Sequence, residues 1–159
     1  MSSLPASVHD MVEMSAVEDV MLALLRARIP DIETQALIAP NQTAPLILPR
    51  RSPEAGRWRG DTRFVDAAYV DVQVFCDGDE ADADAQALSE AVRVAIRDSW
   101  REHEVFPGLG HITWQEMTIS PHRRPDWATA TGPVQYADLP AGWVRYESTF
   151  YLEIRRPLT

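Results

Sequence analysis

The amino-acid sequence predicts an α+β protein with two layers, a mostly antiparallel four-stranded sheet and helices packed on one of its faces, in the order α-β-β-α-β-β. Residues 143 to 155 and 64 to 76 alternate between apolar and polar side chains, as strands with one buried face do. Residues 15 to 30 and 82 to 103 repeat apolar side chains at helical spacing. Because each helix has one apolar stripe and each long strand one apolar face, two layers suffice to bury them.

The first half of the chain opens with residues 1–14, which we expect to be a loose lead-in. A capping box of Ser15 and Glu18 predicts the start of the first helix, and Pro30 predicts its end. Residues 32 to 38 show no clear preference. The short apolar segment between Pro45 and Pro49 predicts an edge strand, because proline cannot donate to a sheet ladder.

In the second half, residues 50–63 and 120–142 are rich in proline and glycine and are predicted to be long interaction loops. Between them lie the strand 64–76, the helix 82–103 and a third strand from His111 to Ile119. The last strand is predicted to point Val144, Tyr146, Phe150, Leu152 and Ile154 to the core, and Arg145, Glu147, Thr149, Glu153 and Arg155 to solvent.

Length and composition fit one domain over residues 1–159 that can bury a genuine core. The single cysteine, Cys76, excludes an intramolecular disulfide and suits a reducing compartment. Its place at the end of an apolar strand face predicts a small buried hydrophobe. Neither a signal peptide nor a run of apolar residues long enough to span a membrane is visible, so synthesis in the cytoplasm without a membrane partner is the expectation.

The formal charge of −9 disfavours broad binding of nucleic acid, which needs clustered cations. The charge is uneven along the chain. Residues 77–104 hold nine acids and three arginines, a net of −6, whereas residues 50–63 hold five arginines and two acids, a net of +3. Opposed patches suit head-to-tail self-association, and solvated faces explain them too. All fifteen cationic residues are arginine, the side chain that favours ion pairs at interfaces.

Arginine and tryptophan mark the candidate interaction residues. Trp58 between Arg57 and Arg59 could bind single-stranded nucleic acid or form a protein–protein interface. The acidic charge of the chain favours the protein–protein interface. On the second helix, three arginines lie at four-residue spacing. They form either a hydrated face, in which Glu90 and Asp98 each pair with the arginine three residues later, or a contact surface for an acidic neighbouring protein. The interface candidates are Arg50, Arg51, Arg57, Trp58, Arg59, Arg63, Arg93, Arg97, Arg101, Arg123, Arg124 and Trp127.

Reaction chemistry is not indicated by any motif. The acidic run from Asp77 to Asp84 does not fit a calcium loop and is explained by the dipole of the helix that follows. The histidines form no zinc signature, and neither a nucleophile elbow nor a phosphate-binding glycine loop occurs. We therefore predict no catalytic residue, metal or cofactor. An enzyme or ligand-binding module would need His111 or His122 buried beside carboxylates in a pocket.

Several segments, in this order, are similar to those of a known family: the early helix 17–28, the segment Leu46-Ile47-Leu48-Pro49-Arg50, the loop Gly56-Arg57-Trp58-Arg59-Gly60, the strand 68–75, the alanine- and leucine-rich helix, and the closing strand 144–150. With them the chain resembles the lambda-like tail-terminator family of long-tailed phages, in the versions from phages of actinobacteria. The absence of lysine fits a host with a GC-rich genome. The likeness spans nearly the whole chain and is one of layout.

The resemblance implies a non-enzymatic virion protein of the tail neck region, made in the host cytoplasm, whose copies form a homo-hexameric ring. Such a ring would cap the tube of the major tail tube protein and join it to the head–tail connector protein, with DNA passing only through the lumen. Another neck or head-completion protein, or a minor tail protein, is the alternative, and a small enzyme or binding module is a more distant one.

Overall fold

A computed structural model of the chain describes residues 3–53, 64–124 and 142–156. Its helices are α1 (Ala6–His9), α2 (Val17–Arg28) and α3 (Ala81–Arg101). Its strands are β1 (Glu33–Thr34), β2 (Leu46–Arg51), β3 (Val65–Cys76), β4 (His111–Arg124) and β5 (Val144–Arg155). The predicted α+β class is confirmed.

The strands form one sheet of five, in the order β1-β2-β3-β5-β4. Every neighbouring pair is antiparallel except β1 and β2, which run parallel. The sheet is therefore mixed and has one strand more than predicted. The extra strand, β1, spans two residues of the segment that showed no preference, and two residues are too few for a periodic pattern.

The centre of the sheet is the pairing of β3 with β5, which runs from Val65 opposite Arg155 to Cys76 opposite Val144 without a register shift. Side chains alternate between the two faces along both strands. The even-numbered residues face the helices and supply the share of these two strands in the main core, namely Ala68, Val70, Val72, Val74, Cys76, Val144, Phe150, Leu152 and Ile154.

Helices α2 and α3 pack on this same face, as predicted. The helix α2 lies over β1 and β2, and α3 lies over β3, β5 and β4. Fully buried side chains of α2, such as Met21 and Leu24, join Val92 and Ile96 of α3 in the core. Beyond the core, Arg28 at the end of α2 donates to Glu102 at 2.6 Å and to Glu104 at 2.9 Å, so one guanidinium ties α2 to the residues after α3.

The start of α2 differs from the prediction. The helix begins after Ala16, which makes no side-chain cap, so the predicted capping box is wrong. The hydroxyl of Ser15 donates instead to the carbonyl of Gly108 at 3.4 Å, and Glu18 accepts the backbone N–H of Arg51 at 2.8 Å. Both side chains make tertiary contacts in place of the local ones. The lead-in also differs, because it contains the short helix α1.

Prolines fall where strands lack a second partner. The strand β1 pairs only with Leu46 and Ile47, so Pro49 lies beyond it, on a stretch of β2 bonded to β3 alone. As a whole β2 lies inside the sheet, which corrects the predicted edge strand. Arg50 and Arg51 belong to β2 and not to the predicted loop.

The true edge strand with a proline is β4, which continues five residues past its predicted end, from Ile119 to Arg124. Residues 120 to 124 therefore belong to the sheet and not to the predicted loop. Three register shifts interrupt its pairing with β5, and Pro121 lies within the last of them. The remainder of both predicted loops, residues 54–63 and 125–141, lies outside the described residues.

The second face of the sheet matches the solvent-facing surface predicted from β5 only in part, because Arg155 is exposed whereas Glu147 and Glu153 are partly buried. Thr149 and Arg145 on that face are only 2% and 6% exposed. Thr149 donates to Asp71 at 2.7 Å, and the side-chain amide of Gln73 donates to Glu147 at 2.8 Å, so two polar pairs link β3 and β5. The side-chain oxygen of Gln73 is buried without a hydrogen-bond partner among the described residues. A second apolar cluster covers the end of this face and consists of Leu46, Leu48, Phe75 and Trp143.

We expect the substitution Arg28→Ala to lower the free energy of unfolding by about 1 kcal/mol, because Glu102 and Glu104 would lose the cation between them. Urea unfolding in dilute solution, followed by circular dichroism, measures this loss as a lower midpoint at constant slope. The matched control is Arg101→Ala at the exposed end of α3, which should change the free energy by less than about 0.5 kcal/mol. Equal losses in the two variants would contradict a linking role for Arg28.

Candidate interaction surface

The described residues include seven of the predicted interface residues, and they occupy three places: Arg50 and Arg51 at the end of β2, Arg93, Arg97 and Arg101 along α3, and Arg123 and Arg124 at the end of β4. The other predicted residues, Arg57, Trp58, Arg59, Arg63 and Trp127, lie outside the described residues. The end of β4 lies beside Asp82 at the start of α3, whereas Arg93, Arg97 and Arg101 lie in the second half of that helix, so the structure does not bring these two places together.

At the end of β4, side chains anchor the strand to α3. Arg123 pairs with Asp82 at 3.3 Å, and the Tyr146 hydroxyl donates to the same carboxylate at 3.0 Å. Partial burial and this carboxylate raise the pKa of the Tyr146 hydroxyl. Arg124 pairs with Glu147 at 3.2 Å. These arginines therefore have partners within the chain and fix the position of β4.

The end of β2 is also held within the subunit. The guanidinium of Arg51 lies 2.9 Å from Asp66, which is almost fully buried, and its backbone N–H bonds to Glu18. Arg51 thus connects β2 to β3 and α2, which is a structural role that the sequence did not indicate.

Along α3 the arginines differ from one another. Arg93 pairs with Glu90, as predicted, and this pairing lowers the pKa of the glutamate. Asp98 pairs with Arg97 at 2.8 Å and not with Arg101 as predicted, because the neighbouring side chain reaches it first. Arg101 is exposed at the last residue of the helix. The basic half of α3 therefore presents at least one cation toward solvent.

Next to this basic half lies a pair of tryptophans that the sequence analysis did not single out. Trp114 on the edge strand β4 packs edge-on against Trp100 of α3, with ring centroids 5.7 Å apart, yet 47% of Trp114 is exposed. The indole N–H of Trp100 donates to the carbonyl of Thr113 at 3.0 Å and holds the pair in place. Aromatic side chains so exposed and so fixed are typical of protein interfaces.

At the opposite end of α3 an open groove of about 510 Å³ separates the helix from β4. It is lined by Ala83, Gln86, Ala87, Glu90 and Pro121. A second open groove, of about 470 Å³, lies between the N-terminal segment and Gly108, and includes His9, Glu13 and Arg156. Small side chains make the floor of the first groove and leave room for an aromatic ring.

The two histidines named for an enzyme or ligand-binding module, His111 and His122, line neither of these two grooves. Partial burial, and then the charges of Arg155 and His103, lower the pKa of His111. Across the described ranges no group of three potential ligands could hold a metal ion. Among the helices of those ranges, none combines the length and apolar character needed to cross a membrane.

The thiol of Cys76 is buried at the end of β3, as predicted. Burial, followed by the charges of Asp84 and Asp77, raises its pKa to about 11. The thiolate is the reactive form of cysteine, so this environment suppresses nucleophilic chemistry.

We expect iodoacetamide to alkylate Cys76 at pH 8 at least about 100-fold more slowly in the folded protein than in urea, because its pKa lies about two units above the ordinary value and the sulfur is buried. Mass spectrometry of timed samples gives both rates. The unfolded chain is its own control, since Cys76 is the single cysteine. Similar rates in the two states would show that the thiol is accessible.

Comparison with known proteins adds no family to this description: no protein-family model matches the chain, and no curated protein sequence matches it.

Proposed function

We propose that the chain is a tail terminator of a long-tailed phage, a structural protein whose copies form a ring that caps the tail tube and joins it to the head connector. The observation that supports self-assembly is that the surface formed by α3 and β4 has different residues at its two ends. One end presents Arg101 and the exposed Trp114, and the other presents an open groove and the exposed Glu80 and Asp84, beside the pair of Asp82 with Arg123. Unlike ends on one subunit suit head-to-tail contacts, which close into rings.

The identity of the ring rests on the resemblance of the chain's layout to tail terminators, and the five-stranded sheet with two packed helices is compatible with it. The net charge of −9 adds support. A lumen lined by acidic subunits repels a polyanion weakly, so DNA could pass without sticking to the wall. The proposed partners are further copies of this chain, the major tail tube protein and the connector protein.

The ring and its position are tested together by adding the purified protein to growing tubes of a major tail tube protein from the same phage. We expect six-fold oligomers in multi-angle light scattering, alone or with tubes, and density at one end of each tube in electron micrographs. Tube elongation should stop, since a bound ring blocks the next tube ring. A strict monomer at high concentration, also with tubes present, would contradict the proposal. Density at the connector alone would favour another neck protein.

We further expect the double substitution Arg57→Glu and Arg59→Glu to weaken oligomer formation without loss of the fold, because arginines beside Trp58 suit an interface. Light scattering gives the oligomer mass, and circular dichroism checks the fold. Unfolding of this variant would instead place the loop in the core.

A further inference from the structure

The helix α3 has a charge gradient along its exposed side. Exposed carboxylates occupy its start and the first half, namely Glu80, Asp82, Asp84 and Glu90. The second half holds three arginines, namely Arg93, Arg97 and Arg101, and one acid, Asp98, which pairs with Arg97. With 21 residues the helix is about 30 Å long, so its two ends lie on opposite sides of a small subunit. Some of these charges are paired within the chain, whereas Arg101 and Asp84 stand exposed at opposite ends.

The basic end carries a rigid aromatic projection. Trp114 stands on the outer strand of the sheet and is supported from behind by Trp100, which is itself fixed by its bond to Thr113. The bulge between Ile112 and Trp114 displaces the strand from regular pairing at this point. A large aromatic ring that is half exposed and packs against a second ring loses less conformational entropy on binding than an unsupported one.

The acidic end carries a matching depression. The open groove between α3 and β4 is lined by Ala83, Gln86, Ala87, Glu90 and Pro121 and has a volume of about 510 Å³. Trp114 cannot reach this groove in its own subunit, because Ala87 and Trp100 are 13 residues apart on α3, about 20 Å along the helix axis.

We propose that Trp114 of one copy inserts into the Ala83–Ala87–Pro121 groove of the next copy, with Arg101 approaching Asp84 of that copy. This inference rests on the proposed ring and names the surfaces that build it. The occupant is a second copy because the two ends of α3 differ within one chain: the exposed Trp114 and Arg101 lie at one end, and the open groove lies with the exposed Glu80 and Asp84 at the other. Such a contact is heterologous, so each added subunit leaves one projection and one groove free until the ring closes.

Two single substitutions separate the halves of the contact. Trp114→Ala removes the projection and leaves the groove, whereas Ala87→Arg fills the groove with a cation that repels Arg101 and leaves the projection. Both positions are exposed, so the fold should persist. Matched controls are Leu37→Ala, which removes another exposed apolar side chain, and Ala27→Arg, which adds a cation to the exposed side of α2.

Sedimentation velocity of each variant, alone and in an equal mixture, with and without tail tubes, gives the test. We expect rings for the wild type and both controls, and monomers for Trp114→Ala and Ala87→Arg, with association weakened about 30-fold or more, as at interface hot spots. The equal mixture should form a one-to-one dimer and stop there, because it contains one intact projection–groove pair. Melting curves confirm that each variant is folded.

Other outcomes overturn the inference in distinguishable ways. Rings from either substituted variant would show that the ring uses other surfaces, while the proposed function would stand. A mixture that stays monomeric would show that projection and groove do not meet. Wild-type dimers that never grow would show pairing about a two-fold axis in place of a head-to-tail contact. A wild type that is monomeric with and without tubes would remove the proposed ring and this contact together.

Discussion

The unbroken pairing of β3 with β5 is the constraint on which the other elements depend. A shift of β3 by one residue would turn Asp71 and Gln73 toward the helices and move the valines of β3 to the second face of the sheet. The register therefore decides which face α2 and α3 cover. It also decides where β2 and β4 attach on either side, and hence where the two ends of α3 lie relative to the edge of the sheet.

The polar pairs on the second face of the sheet also fix the register of β3 and β5. Asp71 lies directly opposite Thr149, and Gln73 lies directly opposite Glu147, so both hydrogen bonds exist only in the observed register. Buried polar groups left without partners would be costly in any shifted pairing. Apolar residues on one face thus supply most of the burial, while polar residues on the other specify the alignment.

The long elements could be predicted from sequence because their periodic patterns are local: α2, α3, β3 and β5 all lie within a few residues of their predicted bounds. What could not be predicted depends on contacts distant in sequence. Ser15 and Glu18 satisfy the capping pattern yet bond elsewhere, and β1 exists only because β2 lies beside it. For the candidate surface, composition pointed to the arginines of α3. The exposure of Trp114 follows from its place on an edge strand next to a bulge, which no sequence pattern revealed.

The irregularity of β4 has a consequence for how the protein behaves in a crowded cell. A straight outer strand of this length would offer its backbone to any extended peptide and could seed fibrils. Here the ladder is broken three times and contains a proline, so few consecutive backbone groups are aligned for a foreign strand. Binding at the β4 edge then depends on side chains rather than on backbone hydrogen bonds. This disfavours the open-ended addition of strands when many copies are present.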